Sequence, residues 1–241
     1  MSVTGELLLY ALVAGGLVFW LRSILGTRHG EERDHSDALM GMGGDVAEDN
    51  TATEAPMISN EEQIKTVAGS KDGVTGIANT AAETGLFKIA EADKDFDIKF
   101  FFEAIQDVFV MVVEGFGKGD RELLQDLLAD DVYKAFEGAI DAREKTGETL
   151  SNEIHSINKA EIIEAELNGK KANVTVRFIA DEVSVTRDKG GEITAGHPDH
   201  TTKMRDIWTF SRDIKSRDPR WFVVETRGDF EGDNETIPNT D

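Results

Sequence analysis

The amino-acid sequence predicts an α+β domain, with amino-terminal helices packed on a curved antiparallel sheet, preceded by one transmembrane helix. Three observations carry that expectation. An uncharged apolar run lies near the start, apolar residues recur at three and four residue steps from Phe96 to Phe116, and beyond residue 150 the apolar period falls to two.

The apolar run, Leu7 to Leu21, lacks the polar face that a buried globular helix would carry. As a helix it reaches about 22 Å. Extended to Leu25, with Arg22 bending back toward the headgroups, it reaches about 28 Å against a hydrocarbon core of roughly 30 Å. A cleaved signal would show basic residues before the run and small ones after it; Glu6 precedes this one and Phe19, Trp20 and Leu21 end it. Trp20 suits the interfacial ring of a membrane helix. Residues 1–28 are therefore expected to be a single-pass anchor in the inner cell membrane. Arg22, Arg28 and Arg33 follow the run while only Glu6 and the terminal amine precede it, which predicts a cytoplasmic carboxyl-terminal domain. Ala11 and Gly15 form a small-xxx-small pair, which leaves homo-oligomerisation open.

The chain has 241 residues, and once an anchor and a linker are set aside the remainder is the size of one domain. Its net charge is −21, with 47 acidic side chains against 26 basic, so nucleic-acid phosphate is excluded as a principal partner and basic partners are favoured. The absence of cysteine removes disulfides, thiolate nucleophiles and Cys-based zinc sites.

Residues 29–84 read as an acidic flexible linker with room for short helices, because "MGMGGDVAEDNTATEAP" offers no aromatic residue and no apolar period. Toward its end Ile64, Val67, Leu86, Phe87 and Ile89 stand among Gly69, Gly73, Gly76 and Gly85, a pattern that fits either short helices or a docking strap. The domain proper is expected over 85–230 and a disordered tail over 231–241. The amphipathic helix from Phe96 should stop at Gly115, Gly117 and Gly119; Asp120 should cap a second helix, and Asp130 or Asp131 a third that ends at Gly147. Two strands follow from about Ile157, joined by a two-residue turn at Asn168 and Gly169. On the second of them Ala172, Val174, Val176, Phe178 and Ala180 share one face. "MRDIWTFSRD" and "RWFVVETRGDF" supply two more strands, which must wrap the helical layer to hide their apolar side.

The order and spacing of "FFEAIQDVFVMVVEGFGKGDRELLQDLLADDVYKAFEGAIDAREKTGETL", "ANVTVRF", "DIWTFSR" and "PRWFVVETR" resemble the Tim44-like domain family over roughly residues 85–228. Within it the chain is similar to the membrane-tethered bacterial relatives called TimA, as "LRSILGTRHGEE" after the apolar run also suggests. The resemblance implies a cone of the nuclear-transport-factor-two-like or cystatin-like kind, with a hydrophobic pocket between helix and sheet, and an adaptor role related to protein translocation. It implies no catalysis. The long segment that recruits a chaperone in the mitochondrial members has no counterpart in residues 29–81, which are short and acidic.

Candidate chemistry is sparse. Asp181 and Glu182 in "DEVSV", with His197, Asp199 and His200 in "HPDH", are the titratable groups most suited to acid–base work in a cone pocket. The two histidines, however, flank Pro198 in a glycine-rich stretch typical of an exposed loop, and their spacing is not that of zinc ligands. No G-x-S-x-G elbow and no phosphate loop occurs. The expectation is therefore of no enzyme, no cofactor and no metal. Phe101, Phe102, Phe109, Trp208 and Trp221 are expected to border the pocket or a partner surface. The function so predicted is that of a non-enzymatic adaptor or scaffold that holds a protein partner, or a lipid or apolar peptide, at the inner membrane. The rivals are a small-molecule enzyme with Asp181 or Glu182 as base, and a lipid-binding protein using the cone pocket.

Overall fold

The structure, a computed structural model, describes residues 59–70 and 73–229. The anchor expected over 1–28, the linker as far as residue 58 and the tail expected over 231–241 lie outside the described residues. Among those described, no helix is long and apolar enough to cross a membrane.

Two short elements come first, α1 (Asn60–Gly69) and β1 (Thr75–Ile77), followed by α2 (Thr80–Ala92). The linker expected through residue 84 thus gives way at Ser59 to packed structure. Both options left open by the sequence are realised, since α1 buries Ile64 and Val67 while β1 straps onto the sheet edge.

The long helix α3 (Ile98–Lys118) begins at Asp97, whose side chain accepts hydrogen bonds from the Lys99 and Phe100 amides at 2.8 and 2.9 Å. It runs through Gly115 and Gly117 and stops only at Gly119, which adopts the left-handed conformation at φ 71°. Close packing explains the two internal glycines: a Cβ on Gly117 would lie 3.0 Å from the Asn152 amide nitrogen on the sheet. Asp120 caps α4 (Arg121–Leu127) as expected, accepting from the Leu123 amide at 3.1 Å.

The third expected cap differs. Helix α5 (Asp130–Thr146) starts at Ala129, which has no side-chain cap and is instead pinned to the sheet by the hydrogen bond that its backbone N–H donates to the Val223 carbonyl at 2.9 Å. Asp130 and Asp131 occupy the first turn, where they favour the positive end of the helix dipole. The helix ends at Gly147, as predicted.

Strands β2 (Thr149–Asn168) and β3 (Lys171–Arg187) form the backbone of the sheet. The hairpin loop consists of Gly169 and Lys170, one residue later than expected, because Asn168 is already paired with Lys171. Strand β2 starts at Thr149 rather than near Ile157, since β3 continues to Arg187 and offers it partners that far. The remaining strands are β4 (Ile193–Gly196), β5 (Thr202–Asp213) and β6 (Phe222–Gly228). The sheet order is β1-β2-β3-β5-β6, with β4 beside the end of β3. Strand β1 runs parallel to β2, so the sheet is mixed rather than wholly antiparallel; β1 arrives from ahead of the helices instead of through a hairpin. Three register shifts along β2 are bulges that bend the sheet around the helices.

The inner face carries the core. Ala172, Val174, Val176, Phe178 and Ala180 are all fully buried, as their alternation predicted. Phe109 of α3 stacks on Phe178 with centroids 4.4 Å apart and lies 4.9 Å from Trp208 of β5. Helix α2 approaches β2 so closely that a Cβ on Gly85 would fall on the Ala165 carbonyl oxygen. Gly85 is therefore a packing residue.

Candidate functional site

Phe101, Phe102, Phe109 and Trp208 are all buried, with at most 3 % of their surface exposed. Trp221 is half-buried, 4.8 Å from Phe101 and 6.2 Å from Phe96, with the Arg212 guanidinium 5.3 Å above its ring. Arg212 itself pairs with the buried Asp93 at the end of α2, so this corner ties the helical layer to β5. The five expected residues do converge on one aromatic core. Of the five, only Trp221 reaches the surface.

The ring at the surface is Phe100, 68 % exposed on the outer side of α3. Three helical turns further on, Met111 is also exposed, at 38 %. The residues between them on that side are Ala104 and Val108, both partly covered, with exposed Glu103 and Asp107 alongside. The outer side of α3 is thus an apolar stripe with an acidic border. In the sequence Phe100 stands in one aromatic run with Phe101 and Phe102; only the rotation of the helix, set by Phe101 and Ile105 turning inward, separates it from them.

A second feature lies on the inner face of the sheet. Glu182 continues the buried alternation of β3 beyond Ala180 and is 4 % exposed. Its carboxylate receives no hydrogen bond among the described residues. Asp206 of β5 stands opposite Phe178 on the same face, is 9 % exposed, and accepts from the Trp208 indole Nε1 at 3.2 Å. Burial, reinforced by the charge of Asp206, pushes the Glu182 carboxyl up to about 7. Burial likewise pushes Asp206 up to about 6, against the Trp208 hydrogen bond that lowers it and with the Asp229 charge that raises it.

The two candidate bases of the sequence are therefore separated by the sheet. Asp181 points to the outer face, where Ser156 donates to it at 3.2 Å and the Lys203 ammonium lies 3.4 Å away. Only Glu182 faces the interior. Asp206 was missed because its place opposite Phe178 depends on a strand pairing that no local signal fixes. His197 and His200 lie in the exposed turn between β4 and β5, with rings stacked 4.0 Å apart. Among the described residues no His, Asp and Glu side chains are grouped to hold a metal ion.

The fold defines a two-layer α+β domain in which a helical layer lies on one face of a bulged mixed sheet. This chain belongs to the Tim44-like domain family, whose model matches residues 82–228. Among curated relatives it is similar to the probable mitochondrial import inner membrane translocase subunit tin-44 of Caenorhabditis elegans, 23 % identical over 144 residues, covering 58 % of this chain and 34 % of that protein. It is also similar to the mitochondrial import inner membrane translocase subunit TIM44 of Homo sapiens, 24 % identical over 135 residues, covering 56 % and 30 %. The chain thus spans about a third of the length of the curated relatives it matches. Among solved structures, the intermembrane space region of the chloroplast protein ARC6 matches with a TM-score of 0.38 and 14 % identity, covering 55 % of this chain and 96 % of that one, a likeness that carries no functional argument.

Proposed function

We propose that this protein is a membrane-tethered, non-enzymatic adaptor of the TimA kind, which holds a protein partner close to the inner membrane through its Tim44-like domain. The observation that carries the reading is the outward apolar stripe of α3, Phe100 to Met111, on an acidic helix face. Exposed aromatic and methionine side chains within a charged border are what a protein partner surface requires. The family membership supports the same reading, because the named relatives are inner membrane translocase subunits. The apolar run of residues 7–25 serves in this proposal as the anchor, with the domain on the cytoplasmic side. Attachment near the bilayer makes weak contacts effective by raising local concentration.

Crosslinking in native membranes, followed by purification in mild detergent, tests the proposal with full-length protein and its Phe100→Ser variant. The expected result is a captured protein partner that is lost in the variant while the melting temperature stays within a few degrees. Capture that survives the substitution, or no partner at all, would refute the stripe as the docking surface. Capture by an acidic surface should also weaken from low to high salt.

A second reading has one observation in its favour, the inward, unpartnered carboxyl of Glu182 near Asp206. In that reading the interior of the cone is an acid–base site for a small molecule. Turnover of any compound in a metabolite panel that is abolished in Glu182→Gln, with partner capture unchanged, would establish it.

A further inference from the structure

Glu182 is the last buried residue of the inward row of β3; Ser184 and Thr186, the next two on that side, are half-buried, so the row opens toward solvent just beyond it. Its neighbours give its carboxylate neither charge nor hydrogen bond. Ile154 of β2 and Thr202 of β5 stand directly opposite, and the Thr202 hydroxyl donates to the Glu182 backbone carbonyl at 3.3 Å rather than to its side chain. The Ser184 hydroxyl turns to Asn152 at 2.9 Å. Asp206 uses one oxygen to accept from the Trp208 indole, and its other oxygen has no hydrogen bond among the described residues.

The cations around this face are engaged elsewhere. In the helical layer Lys118 pairs with Glu114 at 3.0 Å, Arg121 with Asp141 and Glu144 at 2.7 and 2.9 Å, and the Arg143 guanidinium donates to the Phe116 and Gly117 carbonyls at 2.8 and 3.2 Å. Arg177 and Lys203 belong to the outer side of the sheet, paired with Asp229 and Asp181. Asp229 brings only a further negative charge toward Asp206. Two carboxyls buried without a counter-ion destabilise the fold once ionised, and a ligand that carries positive charge removes that penalty.

The spacing selects the kind of cation. Glu182 stands opposite Thr202 and Asp206 opposite Phe178, so the two lie four residues apart along the ladder, about 13 Å, with the Ala180–Met204 pair between them. One ammonium cannot touch both, and among the described residues no group of His, Asp and Glu side chains is placed to hold a metal ion. A charge-assisted hydrogen bond of about 2.8 Å at each end leaves roughly 7 Å between two ammonium nitrogens, the reach of an extended four- or five-carbon chain. The floor between the carboxyls is apolar, and Met204 is the side chain best able to shift for such a chain.

We propose that the inner face of the sheet binds an organic diammonium ion, with one ammonium on Glu182, the other on Asp206, and the hydrocarbon chain along the Ala180–Met204 pair. The site uses the carboxyls of the acid–base reading but asks for binding without turnover. Turnover tests that reading and calorimetry tests this one, so each can fail alone.

Titration calorimetry at pH 8.5 and constant ionic strength uses the full-length chain in uncharged detergent micelles, with 1,4-diaminobutane as probe. One site is expected, weakened at least tenfold in Glu182→Gln and in Asp206→Asn, which remove only the charge, and unchanged in Asp181→Asn on the outer face. n-Butylammonium, with a single charge, should bind at least tenfold more weakly than the diamine. At pH 5 both inner carboxyls are mostly protonated, and the affinity of the unmodified chain should fall by the same order. No binding to the unmodified chain, equal binding of the two amines, binding that survives either inner-face substitution, or an equal loss in Asp181→Asn would overturn the proposal. The pH series on the unmodified chain decides the case in which a variant fails to fold, because an affinity that stays constant from pH 8.5 to 5 would overturn it too.

Discussion

At neighbouring positions of β3, Asp181 and Glu182 face opposite sides of the sheet and meet opposite surroundings. On the outer side Asp181 is partly exposed; burial pushes its carboxyl up, but hydrogen bonds from Asn158 and Ser156, with the Lys203 charge, outweigh it and hold it below the usual range. On the inner side Glu182 has burial and the Asp206 charge acting in the same direction and nothing to oppose them. The outer face as a whole spends its charges in pairs: Arg177 bridges Glu161 at 3.2 Å and Asp229 at 2.8 Å, and Lys159 reaches Glu161 at 2.7 Å. Along β3 the inner face is apolar from Ala172 to Ala180, yet it holds two carboxyls, Glu182 beyond that row and Asp206 opposite Phe178, with no basic partner among the described residues. A sheet designed only for stability would have no reason to do this, since an unpaired buried carboxylate is among the costliest groups to hold.

The largest effect that sharpens the contrast belongs to the apolar end. Phe178→Ala, which removes the ring beneath Phe109, should cost about 3–5 kcal/mol in urea unfolding, with the same loss at pH 5 and pH 8. A carboxyl that titrates near 7 rather than 4.5 costs on the order of 3 kcal/mol once ionised. Because the folded value is raised, the stability linked to Glu182 is present below about pH 4.5 and is lost as the pH climbs through about 7. Glu182→Gln should therefore match the parent near pH 4 and exceed it by that order at pH 8.5; a constant offset at every pH would show that packing, not charge, is responsible. A smaller effect is expected from Asp206→Asn placed on Glu182→Gln. Its gain at pH 8.5 should fall short of its gain in the parent, because one source of the mutual repulsion is already gone, and a double-mutant cycle measures the shortfall. Asp181→Asn should have the least effect, under about 1 kcal/mol for a partly exposed pair. Its sign is reversed, with a loss at neutral pH that disappears as the pH falls through the lowered titration of Asp181. A loss that grew toward alkaline pH would break the comparison between the faces.

Much of this was legible in the sequence where the signal is local. The inward row of β3 follows from strict alternation, Asp120 and Gly147 from capping chemistry, and α3 from its apolar period. Extending the same alternation by one step, from Ala180 to Glu182, places that carboxyl inside as well. Asp206 and the parallel strand β1 depend on pairings between distant segments, for which composition gives no register. Ile64 and Val67 left the glycine-rich stretch open between short helices and a docking strap, because the surfaces of α2 and α3 that they pack against lie beyond any local signal. Phe100 is left outside because seven other apolar residues of the same helix, from Ile98 to Val113, take the inside, and the step of about 100° between Phe100 and Phe101 decides which of the two faces out.

The order in which the chain leaves the ribosome gives the aromatic cluster a further consequence. Helix α3 is synthesised before any strand of the hairpin it covers, and Phe109 must wait for Phe178 and then for Trp208 before its ring is enclosed. A nascent chain halted between β3 and β5 would carry that helix half-roofed, with Phe101 still lacking Phe210. Such an arrested intermediate should be bound by holdase chaperones, and its release should coincide with the emergence of β5.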